Sequence, residues 1–335
     1  MNETSSGGPE GIKERLAAQR SEPEAAQRTT LPPFPRNVMI ELSNGCNHAC
    51  VFCANPHMTR RIGRMAGDLV DRVLTEARAE GAEEVGFYAT GEPLVHRDLE
   101  RFVARARDLG YGYTYISTNG AASGPRRFKA LIDAGLHSIK FSINAGSRET
   151  YKVVHGKDEF DKVMENVRFV ADYRRSLDRP VKLYASFVVT RLTVDEVEPM
   201  KEHLLRFVDD VIVSQSDSQQ GYMAGAQALF GDSANASPGT GGMCALPFTR
   251  LHVSREGYLT LCCVDYQNYL AVADLAEQTV GEAWRSEAFQ DARRLHIEDR
   301  LAGTLCGNCW YGRADPIEPL NPDYATVIDL ETFHK

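Results

Sequence analysis

An α/β fold is predicted: a parallel sheet with helical crossovers, closing into an incomplete barrel of six βα units and followed by a smaller α+β unit. Three observations carry the prediction. Short β-rich runs alternate with amphipathic helical stretches from residue 37 to residue 215. Residues 216–243 then turn small and polar, over a length unusual for an ordinary connection. Beyond them the chain returns to apolar runs around the turn "SREG" and then to a C-x2-C pair. Periodicity leaves an open sheet as the alternative to a barrel. In both, loops that bear chemistry sit at the C-terminal ends of the strands.

Residues 1–36 mix charges with Gly, Pro, Ser and Thr and read as a tail with a short helix near 11–20. Strand one is "NVMIELSN" (37–44). "AGDLVDRVLTEARAEGA" (66–82) spaces its apolar residues as a helix does and stops near Gly81. "EEVGFYATGEP" (83–93) is strand two, with glycine at its exit. A helix over 97–109 leads to strand three, "YGYTYISTNG" (111–120), and one over 125–135 leads to strand four, "SIKFSINAG" (138–146). A long helix, roughly 158–176, precedes strand five, "VKLYASFVVT" (181–190). "VDEVEPMKEHLLRF" is the next helix and "VDDVIVSQ" (208–215) is strand six. "CALPFTRLHVSREGYLTLCC" reads as a hairpin, a helix lies near 279–298, and "CGNC" falls in a loop. The division is a tail (1–36), a barrel (37–215), a linker or substrate-covering loop (216–243), a small unit (244–320) and a C-terminal tail (321–335).

At 335 residues, 43% hydrophobic and 25% charged, the chain has enough apolar material for a substantial core. A net charge of −8 and the lack of a Lys/Arg stripe argue against nucleic acid as a partner. No apolar run approaches the ~18–20 residues that span a bilayer, and the N-terminal segment lacks the apolar core of a signal peptide. The expectation is a cytoplasmic protein with no membrane partner. In that reducing compartment eight cysteines are metal ligands or catalytic groups rather than disulfides. None lies between Cys53 and Cys244, so the pattern reads as two separate metal sites.

"NGCNHACVFCANP" (44–56) sets Cys46, Cys50 and Cys53 in the spacing C-x3-C-x2-C. A cubane [4Fe–4S] cluster takes one thiolate per iron, so three cysteines on one loop hold three corners. The fourth iron stays open, as catalytic metals keep a vacant position. A zinc site completed by His48 or His57 is the alternative. "TGEP" (Thr90–Pro93), "STNG" (Ser117–Gly120) and "SINAG" (Ser142–Gly146) follow successive strands.

Together these stretches resemble the radical S-adenosylmethionine (SAM) superfamily over about residues 37–215. The resemblance implies a partial (β/α)6 radical SAM barrel. SAM would chelate the open iron through its amino and carboxylate groups, and one electron, from a donor such as flavodoxin or ferredoxin, would cleave it to a 5′-deoxyadenosyl radical. Phe52 occupies the aromatic position before the last cysteine. Thr90, Gly91 and Glu92 match a Gly-Gly-Glu-Pro stretch that binds the SAM ammonium group, with Thr90 in place of the first glycine. Ser117, Asn119, Ser142 and Asn144 match strand ends that line the SAM site. Ser142 and Asn144, two apart on a strand, should face one side. Arg191, just past strand five, suits the SAM carboxylate as a planar fork of donors.

Cys244, Cys262, Cys306 and Cys309 are four, the number that saturates a cluster. They resemble the auxiliary-cluster domains of the SPASM and twitch types. No cysteine follows Cys309, so the pattern is the twitch: one auxiliary [4Fe–4S] cluster that cannot bind SAM and serves electron transfer. Four thiolates would suit zinc equally.

Cys263 is left over. It is either a packed thiol or, if strand alternation points it away from Cys262, a hydrogen-atom donor to a carbon radical. Twitch relatives oxidise or epimerise aminocyclitols and aminoglycosides in antibiotic biosynthesis. The resemblance therefore implies hydrogen abstraction from a hydroxyl-bearing carbon of such a substrate. The product is a ketone or, with Cys263 as donor, an epimer. Modification of a ribosomal peptide and a zinc-stabilised binding protein are the competing readings. Asp217, Asp265 and Arg191 are the candidates for a general base, and His96, His252 and His296 receive no role.

Overall fold

The computed structural model describes residues 27–215, 219, 243–312 and 315–326. The helix expected near 11–20, Asp217 and all of 216–243 apart from residues 219 and 243 lie outside the described residues.

The βα alternation is present from Asn37 onward. Its first half is β1 (Asn37–Ile40), α1 (Gly67–Ala79), β2 (Glu84–Gly86), α2 (Leu99–Asp108), β3 (Tyr113–Thr118), α3 (Pro125–Ala134) and β4 (Ser138–Ser142). It continues through α4 (Arg148–His155), α5 (Phe160–Arg174), β5 (Lys182–Val189), α6 (Val197–Leu204) and β6 (Asp210–Gln215). Helix α1 buries Val70, Val73, Leu74 and Ala77, the i, i+3, i+4, i+7 stripe that one face of a helix presents. Helix α3 starts with a proline in its first turn and stops at Gly135, whose φ of 119° is closed to residues with a side chain. Helix α4 was not foreseen in the sequence. Ser147 caps it by accepting the Thr150 N–H, and Gly156 ends it at φ 68°.

Strands β1 to β6 pair in chain order, each parallel to the next, as a (β/α)6 partial barrel requires. After them come α7 (Leu246–Thr249), β7 (Arg250–Val253), β8 (Tyr258–Thr260) and β9 (Ala271–Asp274). The chain goes on through α8 (Val280–Arg285), α9 (Glu287–Ile297) and α10 (Leu305–Tyr311). The hairpin read around "SREG" is β7–β8, antiparallel, with Gly257 at φ 99° in its turn. Three details differ from the sequence reading. The helix near 279–298 is two helices, broken where the Ser286 side chain turns to cap α9. "CGNC" lies on α10, capped by Thr304, and not in a loop. Cys262 and Cys263 lie in a turn after β8 has ended, so strand alternation does not set their directions.

Strand β7 adds to β1 in parallel, Asn37 opposite Arg250 and Ile40 opposite Val253, so nine strands form one sheet in the order β6-β5-β4-β3-β2-β1-β7-β8-β9. The C-terminal unit is thereby a continuation of the barrel wall. Charge is buried at this seam. Glu41 and Arg60 are 2% and 3% exposed and form an ion pair, and Arg60 also lies 3.1 Å from Glu256. The Glu41 carboxylate accepts the Thr90 hydroxyl as well and, at 2.9 Å, the Arg255 N–H. Burial pushes the Glu41 carboxyl up, but Arg60 and the hydrogen bonds outweigh it and hold it below the usual range. Among the described residues no helix is long and apolar enough to cross a membrane.

Candidate functional site

A cavity of about 930 Å³ opens at the C-terminal ends of the strands. Cys46, Cys50, Cys53, Phe52, Thr90, Gly91, Glu92, Ser117, Asn119, Ser142 and Asn144 all line it, so residues spread over a hundred positions meet at one wall. Arg191 does not: it is exposed in the turn after β5 and absent from the lining.

The cysteine loop is fastened at several points. Asn55 Nδ2 donates to the carbonyls of Asn44 and Thr90, both at 2.8 Å, tying the loop to the end of β2. Gly91 packs so closely that a Cβ there would fall 2.2 Å from the Ser43 carbonyl oxygen and 2.7 Å from that of Gly45. The glycine is required by contact and not by its φ angle. Glu92 is 3% exposed and accepts three hydrogen bonds, from Thr118 Oγ1 (2.6 Å), Asn119 N (2.8 Å) and Leu94 N (3.0 Å). A carboxylate has about four acceptor positions, so one stays available to an ammonium group. Asn119 Nδ2 donates to Asn47 Oδ1 at 2.8 Å and approaches Cys46 Sγ at 3.8 Å. Ser142 and Asn144 share the cavity, but for a reason other than strand alternation: β4 ends at Ser142, and Asn144 turns inward at φ 56° with its Oδ1 accepting the Val188 N–H at 2.9 Å.

The three loop thiols have separate neighbours. Cys46 Sγ accepts the His48 N–H (3.5 Å), Cys53 Sγ accepts the Asn55 N–H (3.5 Å), and Cys53 Sγ also lies 3.6 Å from the Tyr266 hydroxyl. His155 Nδ1 is 3.2 Å from Cys50 Sγ. Its Nε2 is 2.7 Å from the Ile143 carbonyl, so Nε2 carries the proton and Nδ1 accepts. That contact suits a Cys50 thiol, which donates to Nδ1. Burial pushes the Cys50 and Cys53 thiols up, which a cation reverses by favouring the thiolate.

Zinc at 2.3 Å from each sulfur would draw tetrahedral thiolates to about 3.8 Å from one another. Among the described residues neither the loop trio nor Cys244, Cys262, Cys306 and Cys309 brings three sulfurs within 4.8 Å. The group that does meet within 4.8 Å is His48, Cys50 and His155, which leaves out Cys46 and Cys53. Three thiolates from one loop, or four from the second group, are donor sets that a cubane takes one per iron. In the second group Cys306 lies under the electrostatic influence of Cys244 and Cys309, and Cys262 under that of Cys263 and Cys244. Burial pushes Cys244 up to about 11.

Cys263 lines a much smaller hollow with Cys262, Glu41, Arg60, His252 and Thr260. This hollow shares Ala89 and Thr90 with the large cavity, but Cys263 itself is not in the large cavity's wall. Asp265 is spent on structure: its carboxylate accepts from Thr260 Oγ1, Tyr269 N and Leu270 N, each at 2.8 Å, and so shapes the turn that carries Cys262 and Cys263.

Sequence reasoning missed Lys140. Its side chain lines the cavity from the middle of β4, 5.8 Å from the Tyr88 ring, and no carboxylate pairs with it among the described residues. Burial pulls the amine down to about 8. The one available signal was its spacing of two from Ser142 on a strand.

The chain matches the Radical SAM superfamily over residues 40–204 and an iron–sulfur cluster-binding domain, SPASM, over residues 244–310. Among solved structures, BtrN in complex with AdoMet and 2-DOIA is 19% identical, with a TM-score of 0.55 over 82% of this chain and 92% of that one. anSMEcpe with bound AdoMet is 16% identical, with a TM-score of 0.62 over 86% and 93%. Streptococcus suis SuiB bound to the precursor peptide SuiA is 15% identical, with a TM-score of 0.61 over 88% and 74%. At these identities the likeness establishes the fold.

Proposed function

Since residues 40–204 belong to the radical SAM superfamily and residues 244–310 to the SPASM iron–sulfur domains, we propose that this enzyme removes a hydrogen atom from a hydroxyl-bearing carbon of an aminocyclitol or aminoglycoside and yields the ketone. The domains imply two [4Fe–4S] clusters, one binding SAM and one auxiliary. When bound, SAM and its cluster supply a carbon radical that takes the hydrogen atom, and the auxiliary cluster is an electron acceptor. Cys46, Cys50 and Cys53 would hold the first, and Cys244, Cys262, Cys306 and Cys309 the second.

The observation that carries the choice of ketone is the pairing of Lys140 in the cavity wall with Cys263 outside it. Oxidation of an alcohol carbon must release the hydroxyl proton. Lys140 has a desolvated amine, free of any carboxylate among the described residues, where that proton would go. Cys263 lines the neighbouring hollow and not the large cavity, which argues against hydrogen return from that thiol. Tyr88 and the hydroxyls of Ser117, Ser142 and Ser186 give a polyol surfaces to pack and hydrogen-bond against. The BtrN complex, with AdoMet and 2-DOIA together, supports a substrate of this class.

The test is anaerobic reconstitution with SAM, a reductant and a panel of aminocyclitols, aminoglycosides and candidate leader peptides in deuterated water. A product lighter by two hydrogens supports the proposal. An isomer carrying deuterium at carbon would move the reading to epimerisation through Cys263. Turnover of a peptide alone would move it to peptide modification.

A further inference from the structure

We propose that Tyr266 is a positioning residue that sets the reduction potential of the SAM-binding cluster from the C-terminal side of the molecule. Its hydroxyl lies 3.6 Å from Cys53 Sγ, hydrogen-bonding distance for sulfur. The ring is 4% exposed and part of the core, so its orientation is fixed by packing. A thiolate ligand has no proton to offer, so once Cys53 binds iron the phenol can only donate.

What sets Tyr266 apart is where it comes from. Cys46 takes its partners from Asn119 and His48, and Cys50 meets His155, all within the barrel. Tyr266 reaches Cys53 across 213 positions of sequence. Its neighbours are stitched to the same side of the loop: Gln267 Nε2 donates to Thr59 Oγ1 at 2.9 Å, the Thr59 N–H donates back to Gln267 Oε1 at 3.2 Å, and Arg60 Nη1 donates to the Asp265 carbonyl at 3.4 Å. The hydroxyl is therefore held at the sulfur by a short, double-ended clamp between residues 59–60 and 265–267.

Reduction adds negative charge to a cluster and its sulfurs. A donor aimed at a ligand sulfur stabilises the reduced form more than the oxidised one, and such bonds are one of the levers that set cluster potentials. Tyr266 thus makes the first cluster easier to reduce only when the C-terminal unit is seated.

The inference rests on Cys53 being a ligand, as read above. The experiment is an EPR-monitored redox titration of the reconstituted holoenzyme, following the signal that changes on adding SAM. In Tyr266→Phe the reduction equilibrium of that cluster falls about tenfold, 59 mV toward negative for one electron. The auxiliary midpoint and the iron content stay as in the wild type. Substitution of Tyr266 by 3-fluorotyrosine, a stronger donor of nearly the same shape, moves the midpoint the other way. An unchanged midpoint in Tyr266→Phe overturns the proposal, as do both midpoints moving together with loss of iron, which would mark a merely structural residue. Cys53→Ala separates the premise: a SAM-responsive signal that survives it removes the ligand, and the proposal with it.

Discussion

Arg60→Met should loosen the seam between the barrel and its C-terminal continuation by a predictable amount. The Arg60 side chain is 1% exposed and its partner Glu41 is 2% exposed. Removing one member of such a pair leaves the other charge buried and uncompensated, at a cost of about 3–5 kcal/mol. The Thr90 hydroxyl and Arg255 N–H remain on Glu41 in the variant. They were there before, so they offset none of the loss. The amide of Arg255, at 2.9 Å from Glu41 Oε2, reports the opening of the seam by hydrogen exchange. Its exchange should speed up by roughly two to four powers of ten in Arg60→Met.

The pH dependence has a definite sign. In the wild type Glu41 sits below its ordinary value, so its contribution is full above the unfolded pKa and fades as pH falls through the folded one. Without Arg60 burial would raise Glu41, so acid would relieve the variant by protonating it. The gap between the two proteins therefore narrows as pH falls. The double variant Glu41→Gln/Arg60→Met, neutral at both positions, should regain more than half of the lost protection. If the Arg255 amide in Arg60→Met exchanges within tenfold of the wild-type rate, the seam does not depend on this pair.

Four further outcomes follow from the site. Cys46→Ala should lose about four of about eight irons together with the SAM-dependent spectral change, while Cys306→Ala loses the other four and keeps that change; iron analysis and EPR distinguish them. Gly91→Ala would force a Cβ to within 2.2 Å of the Ser43 carbonyl oxygen, so SAM affinity should fall at least about tenfold by calorimetry. Ketone formation should rise with pH and level off above about 8, because the Lys140 amine accepts a proton only when neutral, and Lys140→Met should flatten the profile and lower the rate. Cys263→Ala should leave the ketone yield unchanged when products are analysed by mass, since Cys263 lies outside the large cavity; its loss would put the thiol back in the chemistry.

The cysteine loop and the strand ends were legible because their signals are local. C-x3-C-x2-C stands on one loop, and "TGEP", "STNG" and "SINAG" each follow a strand visible in the sequence. What was not legible depends on contacts far apart in sequence. Tyr266 looks like any apolar residue after the second cysteine pair until folding brings it to Cys53. Lys140 occupies a position in "SIKFS" that a half-exposed strand would give to solvent, whereas this strand faces a cavity. Strand alternation could not give the direction of Cys263, because β8 stops at Thr260, ahead of the cysteine pair, at a turn organised by Asp265. Arg191 carries the right chemistry for a carboxylate but sits on the outside of the turn after β5.

The pairing of β7 with β1 also orders how the protein is made. Ile40 and its partner Val253 are about two hundred residues apart, so at about 5–20 residues per second the ribosome takes about 10–40 s to deliver one to the other. For that interval Cys46, Cys50 and Cys53 are already synthesised, on a sheet edge still bare on one side and without the Tyr266 hydroxyl. Iron–sulfur delivery during synthesis meets an open-sided loop. Delivery afterwards meets one already closed from behind.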